Sequence, residues 1–421
     1  MVTLSQQDWQ KVRVIEKAVD GRLSVSEAAR LLQRSERTVQ RWKRRHQSHN
    51  PAWILHGNRG RSRPWALPPE LRAQVLELAC GKYAGFNDSH LHQKLLEIEG
   101  LSLSRESVRR VLRAARLASP QKRRSRQYRA RRERRSRMGL MVLTDASRHD
   151  WLEGRGPKLT LIGFQDDATS HILAAQFQRE PENALGYLSC LYTMITTHGV
   201  PLSLYRDRHS IFQRNDPHWT VEEELAGKQL PTHAGRALED LGIQQIPANS
   251  PQAKGRIERA WRTFQDRLVS ELRLAGAATL EQANQVLAPF VADYNRRFAI
   301  PAREADNEFR RLPKGFDLAR CISFRYQRTV GADHVIAFAG SSIQLPPLKS
   351  GRGYTGTKVE LSHQLDGVLR IYRGDQLLLA TPRPLEEHVQ SRPAGRSSTP
   401  TKRKMPRIYQ LGGRPALTAA T

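Results

Sequence analysis

Residues 250 to 261 read SPQAKGRIERAW, and the fold turns on why a carboxylate, Glu258, stands there among cations. Ser250 has the character of a helix N-cap and Pro251 of a first helical residue, where the missing proline N–H would be unpaired in any case. Ile257, Trp261, Phe264 and Leu268 then recur at near-helical spacing, which predicts a helix with one face packed on a sheet. Lys254, Glu258 and Arg262 follow at i, i+4 and i+8 on a neighbouring stripe, so Glu258 stands at the edge of the packed face. Read alone, it is an i, i+4 partner of Lys254 or Arg262, worth only about 0.2–0.5 kcal/mol.

Working upstream, GLMVLTDAS (139–147), KLTLIGFQDD (158–167) and HILAAQF (171–177) are short apolar runs that predict strands, the last two joined across a polar DDATS turn. A helix with Leu185, Leu188, Leu191 and Ile195 inward comes next, then the strand PLSLYRD (201–207), the helix HAGRALEDLG and the strand IQQIP (243–247). Three strands, helix, strand, helix, strand, helix is the order of a mixed sheet flanked by helices. Asp145 is expected to end the first strand and Asp207 the fourth, so that both ends can meet Glu258. Asp150 is the competitor for the first position, but it falls in the following loop; Asp166 and Asp167 fit turn chemistry better.

The charge supplies the context. With 69 Lys and Arg against 41 Asp and Glu, the net charge is +28 and the pI about 10.8, the electrostatic footprint of a nucleic-acid binder. A membrane surface is the weaker alternative: no apolar run is long enough to span a bilayer and there is no charged-then-apolar leader, so a cytoplasmic chain is expected. Cys80, Cys190 and Cys321 are far apart and without zinc-finger spacing, which leaves reduced thiols as the default. A carboxylate cluster inside so cationic a chain suits hard divalent cations such as Mg²⁺, which take oxygen ligands and leave room for phosphate oxygens. Two such ions about 3.5–4 Å apart can activate a nucleophile and stabilise the leaving oxygen of an in-line displacement.

Residues 24–45 read as two short helices joined by a tight turn. Ser24 or Ser26 caps the first, Ala28, Ala29, Leu31 and Leu32 form its buried face, and Ser35 caps a second helix with Val39 and Trp42 inward. Arg37, Gln40, Arg41 and Arg44 then face outward, where polar and basic side chains of a helix-turn-helix meet bases and phosphates; a solvated helical hairpin is the plainer alternative. The Gly/Arg-rich HGNRGRSRP (56–64) reads as a linker, and 66–118 as a second helix-turn-helix, winged-helix-like, whose last helix is capped by Ser104. Ten of the 18 residues from 120 to 137 are Lys or Arg, including Lys122, Arg123 and Arg124; this basic linker is expected to track a DNA backbone. Beyond Pro313, alternating runs with tight turns at Asp366-Gly367 and Gly374-Asp375 predict a small SH3-like β-barrel.

At this point the sequence resembles the DDE transposases of bacterial insertion sequences, the group that shares the retroviral-integrase catalytic core and its ribonuclease-H-like fold. The carrying motifs are LTDASRHDWLEGRGPKLTLIGFQDDATS, PLSLYRDRHSIF and ANSPQAKGRIERAWRTFQDRL, which align the family's acidic triad with Asp145, Asp207 and Glu258. Asp207 and Glu258 lie 51 positions apart, longer than in the commonest integrase cores, with residues 208–233 as the extra length. With the resemblance the chain reads as multidomain: helix-turn-helix domains at 1–48 and 66–118, a basic linker at 119–137, a ribonuclease-H-like α/β core with a mixed sheet at 138–300 and a β-barrel at 316–385, followed by a tail at 386–421 whose Pro, Arg, Ser and Thr content predicts disorder. It implies an enzyme that binds the element's terminal inverted repeats as double-stranded DNA, hydrolyses a phosphodiester and joins the freed 3′-hydroxyl to target DNA. Asp145, Asp207 and Glu258 would hold two Mg²⁺ ions, with Mn²⁺ as a substitute, while Lys254 and Arg256 contact phosphate. A homo-oligomer on DNA in the bacterial nucleoid is implied as well; no phosphate-binding glycine loop is evident and ATP is not expected. The rival readings are a DNA-binding regulator with an inert core and a metal-dependent nuclease without strand transfer.

Overall fold

A computed structural model of the chain describes residues 4–46, 51–55, 67–120, 132–214, 216–248, 254–347, 353–383 and 385. It divides into two units, Met1–Gln74 and Val75–Thr421.

The first unit holds the two helices expected at 24–45, α2 (Val25–Leu32) and α3 (Glu36–Arg45), preceded by a further helix, α1 (Gln6–Val19). Each begins at a serine, Ser5, Ser24 and Ser35, whose side chain accepts from the backbone N–H three residues on; such a cap is worth about 1 kcal/mol. Ile15, Ala18, Ala28, Ala29 and Val39 form the buried centre, with Trp42 packed against it; the small alanines give α2 a low profile on its neighbours. Leu31 does not join them. It is 64% exposed, because turning Ala28, Ala29 and Leu32 inward leaves position 31 on the far side of α2.

The second unit begins within α4 (Pro69–Cys80) and continues through α5 (Asp88–Glu97), capped by Asn87, and α6 (Arg105–Ala114), capped by Ser104 as its sequence implies. Five strands follow: β1 (Val142–His149), β2 (Leu159–Asp166), β3 (Ile172–Gln178), β4 (Ser203–Arg206) and β5 (Gln244–Pro247). They lie in the order β3-β2-β1-β4-β5, with β3, β2 and β1 antiparallel and β4 and β5 running parallel to β1. This is the mixed sheet expected of the core. Strand alternation sorts its side chains onto two faces. Val142, Ile162, Phe164 and Leu204 pack under α7 (Ala184–His198) and α9 (His233–Asp240). Leu143, Leu161 and Tyr205 pack on the opposite face under α10 (Gly255–Leu274) and α11 (Leu280–Phe298), against Ile257, Trp261, Phe264 and Leu268. Between β4 and α9, residues 208–232 include the short helix α8 (Val221–Ala226).

The apolar stripe of α10 is thus where its periodicity placed it, but the helix starts at Gly255 with Lys254 at the cap and no side-chain cap bond. The expected cap at Ser250 and Pro251 lies outside the described residues, as do Lys122, Arg123, Arg124 and the tail from 386. Helix α5 also packs on α10: His90 Nε2 meets Glu271 Oε1 at 2.6 Å, Lys94 Nζ reaches the same carboxylate at 2.8 Å, and Arg267 donates to Gln93 at 2.7 Å. The second helical module is therefore tied to the core.

After α12 (Leu318–Cys321) come β6 (Ser323–Thr329), β7 (Val335–Phe338), β8 (Ser341–Gln344), β9 (Lys358–Gln364), β10 (Val368–Arg373) and β11 (Gln376–Pro382). β11-β10-β9-β6 form an antiparallel sheet and β7-β8 a separate ribbon, with hairpins at the two expected turns, where Gly367 and Gly374 take positive φ. Among the described residues no pairing closes these strands into a barrel. The sheet spends its apolar face on the core instead: Phe324, Leu361 and Ile371 share one buried cluster with Ala237 and Leu238 of α9, and the Arg236 guanidinium donates to the carbonyls of Cys321 and Ser323. Among the described residues no helix is long and apolar enough to cross a membrane.

Candidate active site

Strand register brings the first two acids together. β1 pairs with β4 only at Val142↔Leu204 and Leu143↔Tyr205, after which the two strands part. Two residues further along each chain stand Asp145 and Asp207. Both follow the parity of Leu143 and Tyr205, which face α10. Asp145 does not end its strand as expected; it is the fourth residue of eight, and β1 runs on to His149 because β2 pairs along its whole length. The pairing with β4 ends two residues before Asp145, at Leu143, and the gap so opened is the site.

Three further features hold the geometry. Directly across β2, Gly163 pairs with Asp145, and a Cβ there would meet the Trp261 ring at 2.6 Å. The missing side chain lets α10 settle close to the sheet beside Asp145. Asp207 is fixed from behind by Arg206, 5% exposed, whose guanidinium donates to the Asp207 carbonyl at 2.8 Å, to Gln245 at 3.0 Å and to Gln213 at 3.2 Å. The backbone N–H of His209 donates to Asp207 Oδ1 at 3.1 Å.

Lys254 completes the pair. Its ammonium lies 3.0 Å from Asp145 Oδ1 and 3.1 Å from Asp207 Oδ2, with the lysine side chain 9% exposed. Burial works against the Lys254 charge, but the two carboxylates outweigh it and hold the ammonium above its ordinary pKa. Burial pushes the Asp145 carboxyl above its ordinary value; Lys254 pulls against that shift, while Glu182 and Asp207 add to it. Glu182 in turn accepts from the buried Tyr187 hydroxyl. Two aspartates converging on one cation, with oxygen donors only, are a donor set that suits a hard divalent ion. Glu258 occupies the first turn of α10, half-buried, but stands apart: among the described residues no three acidic, histidine or cysteine side chains come close enough to hold a metal ion.

The other predicted residues distribute as follows. Arg37, Gln40, Arg41 and Arg44 are all exposed on α3. Arg256 turns to Asp167, and this aspartate is what sequence reasoning missed. Fully buried, Asp167 accepts from Arg132, Arg256 and the backbone N–H of Arg135, while Arg134 donates to the Asp167 carbonyl at 2.9 Å. The end of the basic segment is thereby pinned to the first turn of the helix that carries Glu258. Its neighbour Asp166 does the turn work expected, accepting from the N–H of Gly139 at 2.9 Å and from Thr169 N–H and Oγ1 at 2.8 Å. Asp150 is a turn residue too, accepting from Gly154 N–H. The unread signal for Asp167 was a second acid in a turn whose chemistry needs only one, with arginines crowded upstream.

Residues 11–73 match the winged helix-turn helix family. The chain is 35% identical over 379 residues to "Putative transposase y4bF" of Sinorhizobium fredii, covering 90% of this chain and 81% of that one. It is 27% identical over 369 residues to the transposase for insertion sequence IS1202 of Streptococcus pneumoniae, covering 79% and 76%. Among solved structures, the catalytic core domain of BIV integrase aligns with 38% of this chain and 85% of its own, at 19% identity and a TM-score of 0.26. Identity of this extent over nearly the whole length settles the kinship: the chain belongs to the DDE transposases of bacterial insertion sequences that carry an N-terminal helix-turn-helix.

Proposed function

We propose that this transposase binds the terminal inverted repeats of its element, hydrolyses a phosphodiester at each end and transfers the freed 3′-hydroxyl to target DNA at a single acidic site. The observation that carries the reading is the convergence of Asp145 and Asp207 on one cation where β1 and β4 part. In this reading Asp145 and Asp207 hold Mg²⁺, or Mn²⁺ in its place, with Glu258 brought in from the first turn of α10. The metal, when bound, would polarise the phosphodiester and lower the pKa of an attacking water or hydroxyl. The chain's own groups position the DNA. Arg37, Gln40, Arg41 and Arg44 read the element end from α3; Lys122, Arg123 and Arg124 track its backbone; Lys254 and Arg256 contact phosphate near the cut. No protein nucleophile and no ATP are required, since phosphoryl transfer of this kind rests on positioning and charge stabilisation. The C-terminal sheet would bind DNA or a neighbouring subunit of a homo-oligomer, and the nucleoid is where such a protein would work.

Incubating the protein with Mg²⁺, labelled element ends and a target plasmid tests the reading. Joined products are expected. Nicked ends without joining would instead mark a metal-dependent nuclease, and binding with neither product a DNA-binding regulator.

A further inference from the structure

Lys254 has two employments that exclude each other. A side chain only 9% exposed and bonded to two carboxylates cannot also grip DNA, and carboxylates neutralised by an ammonium at 3.0 and 3.1 Å cannot accept a dication without like charges in contact. The surroundings favour exchange over a permanent bridge. The Asp145 and Asp207 side chains keep 20% and 37% exposure, so ions in solution reach them. Among the described residues, Lys254 sits at the cap of α10 with no side-chain bond closing that helix end, and a Cβ on the adjacent Gly255 would meet nothing. Arg259 and Arg262, both exposed near the same end of α10, supply a field that attracts phosphate.

We propose that Lys254 is an exchangeable counter-ion that links metal binding to DNA binding: a divalent cation replaces its ammonium at Asp145 and Asp207, and the displaced side chain becomes a phosphate contact. In the metal-free protein the lysine relieves the repulsion between the two aspartates. Metal loading then releases a cation to the DNA surface, so each ligand favours the other, by an equal factor in both directions. The inference rests on Asp145 and Asp207 being metal ligands.

The test uses the full-length protein and Ca²⁺, which takes the same oxygen donors. In calorimetry without DNA, Lys254→Met is expected to bind Ca²⁺ about fivefold more tightly or better, the low end of ordinary coupling between ligands. With a labelled duplex in a NaCl series, adding Ca²⁺ should steepen the wild-type salt slope by about 0.9 more than that of Lys254→Met, the increment for one phosphate contact. Since Lys254→Met leaves two carboxylates facing each other, the wild type carries a check of its own: amine acylation mapped by mass spectrometry should rise at Lys254 on adding Ca²⁺. Unchanged or weaker Ca²⁺ binding by a folded Lys254→Met, or a Lys254 equally unreactive with and without Ca²⁺, would overturn the proposal. Asp145→Asn separates the two levels. If it abolishes Ca²⁺ binding while Lys254→Met changes nothing, the exchange alone fails; if Ca²⁺ binding survives Asp145→Asn, the metal reading fails with it.

Discussion

Asp166 and Asp167 stand side by side at the end of β2, yet they carry different loads. Asp166 receives backbone and hydroxyl donors and closes its own turn. Asp167, 0% exposed, neutralises Arg132 and Arg256 and so joins the basic segment to α10. Asp167→Ala should cost about 2–4 kcal/mol by urea denaturation, below the full value for breaking a buried pair because both arginines keep some contact with water. Asp166→Asn keeps one of the two acceptor oxygens and sets an amide N–H against the other donor, so it should cost stability at the turn while lowering DNA joining far less than Asp207→Asn. The Lys254-bridged pair obeys a different rule, since its worth is chemical. Asp207→Asn should lower divalent-ion affinity by about 100-fold, the upper end of what is lost when even a supporting partner of a metal ligand is removed, while binding of element ends persists.

Helix α10 reaches the site because β2 gives way beneath it. Gly163→Ala would set a methyl group against Trp261, at the register position opposite Asp145. Such overpacking typically costs about 1–3 kcal/mol, and calorimetry should show weaker Ca²⁺ binding along with a lower melting temperature. The face of α10 was legible in the sequence, since Ile257, Trp261, Phe264 and Leu268 repeat at helical spacing; the place it rests was not, because a glycine that makes room leaves no periodic mark. Asp145 teaches the same lesson from the strand side. Its residue type and neighbours made it a candidate, but sequence could not say that β1 continues to His149 while β4 departs two residues before Asp145, a fact of pairing rather than composition. Leu31 was misplaced for a similar reason, as a short helix with several apolar residues does not reveal which of them its neighbours leave outside.

At the scale of the whole chain, the proposed function divides the labour between +28 charges that grip a polyanion and the Asp145–Asp207 pair that would work on it. Arg41→Ala should relax preference for the element end, whereas neutralising Lys122, Arg123 and Arg124 should weaken all DNA alike and flatten the salt slope by about 0.9 per lost phosphate contact. Equal loss of specificity from both changes would contradict that division. Composition made the partner class readable, while the tie between α5 and α10 through Glu271 was hidden, because residues so far apart in sequence share no pattern that announces their meeting. The central claim is that Asp145, Asp207 and Glu258 act as one site, and Glu258→Gln tests it most directly, removing the charge while keeping size and helix. In gel-shift and joining assays with Mg²⁺, labelled ends and target plasmid, end binding should survive while hydrolysis and strand joining fall together. Joining at near the wild-type rate would contradict the claim and leave Glu258 a surface charge on α10.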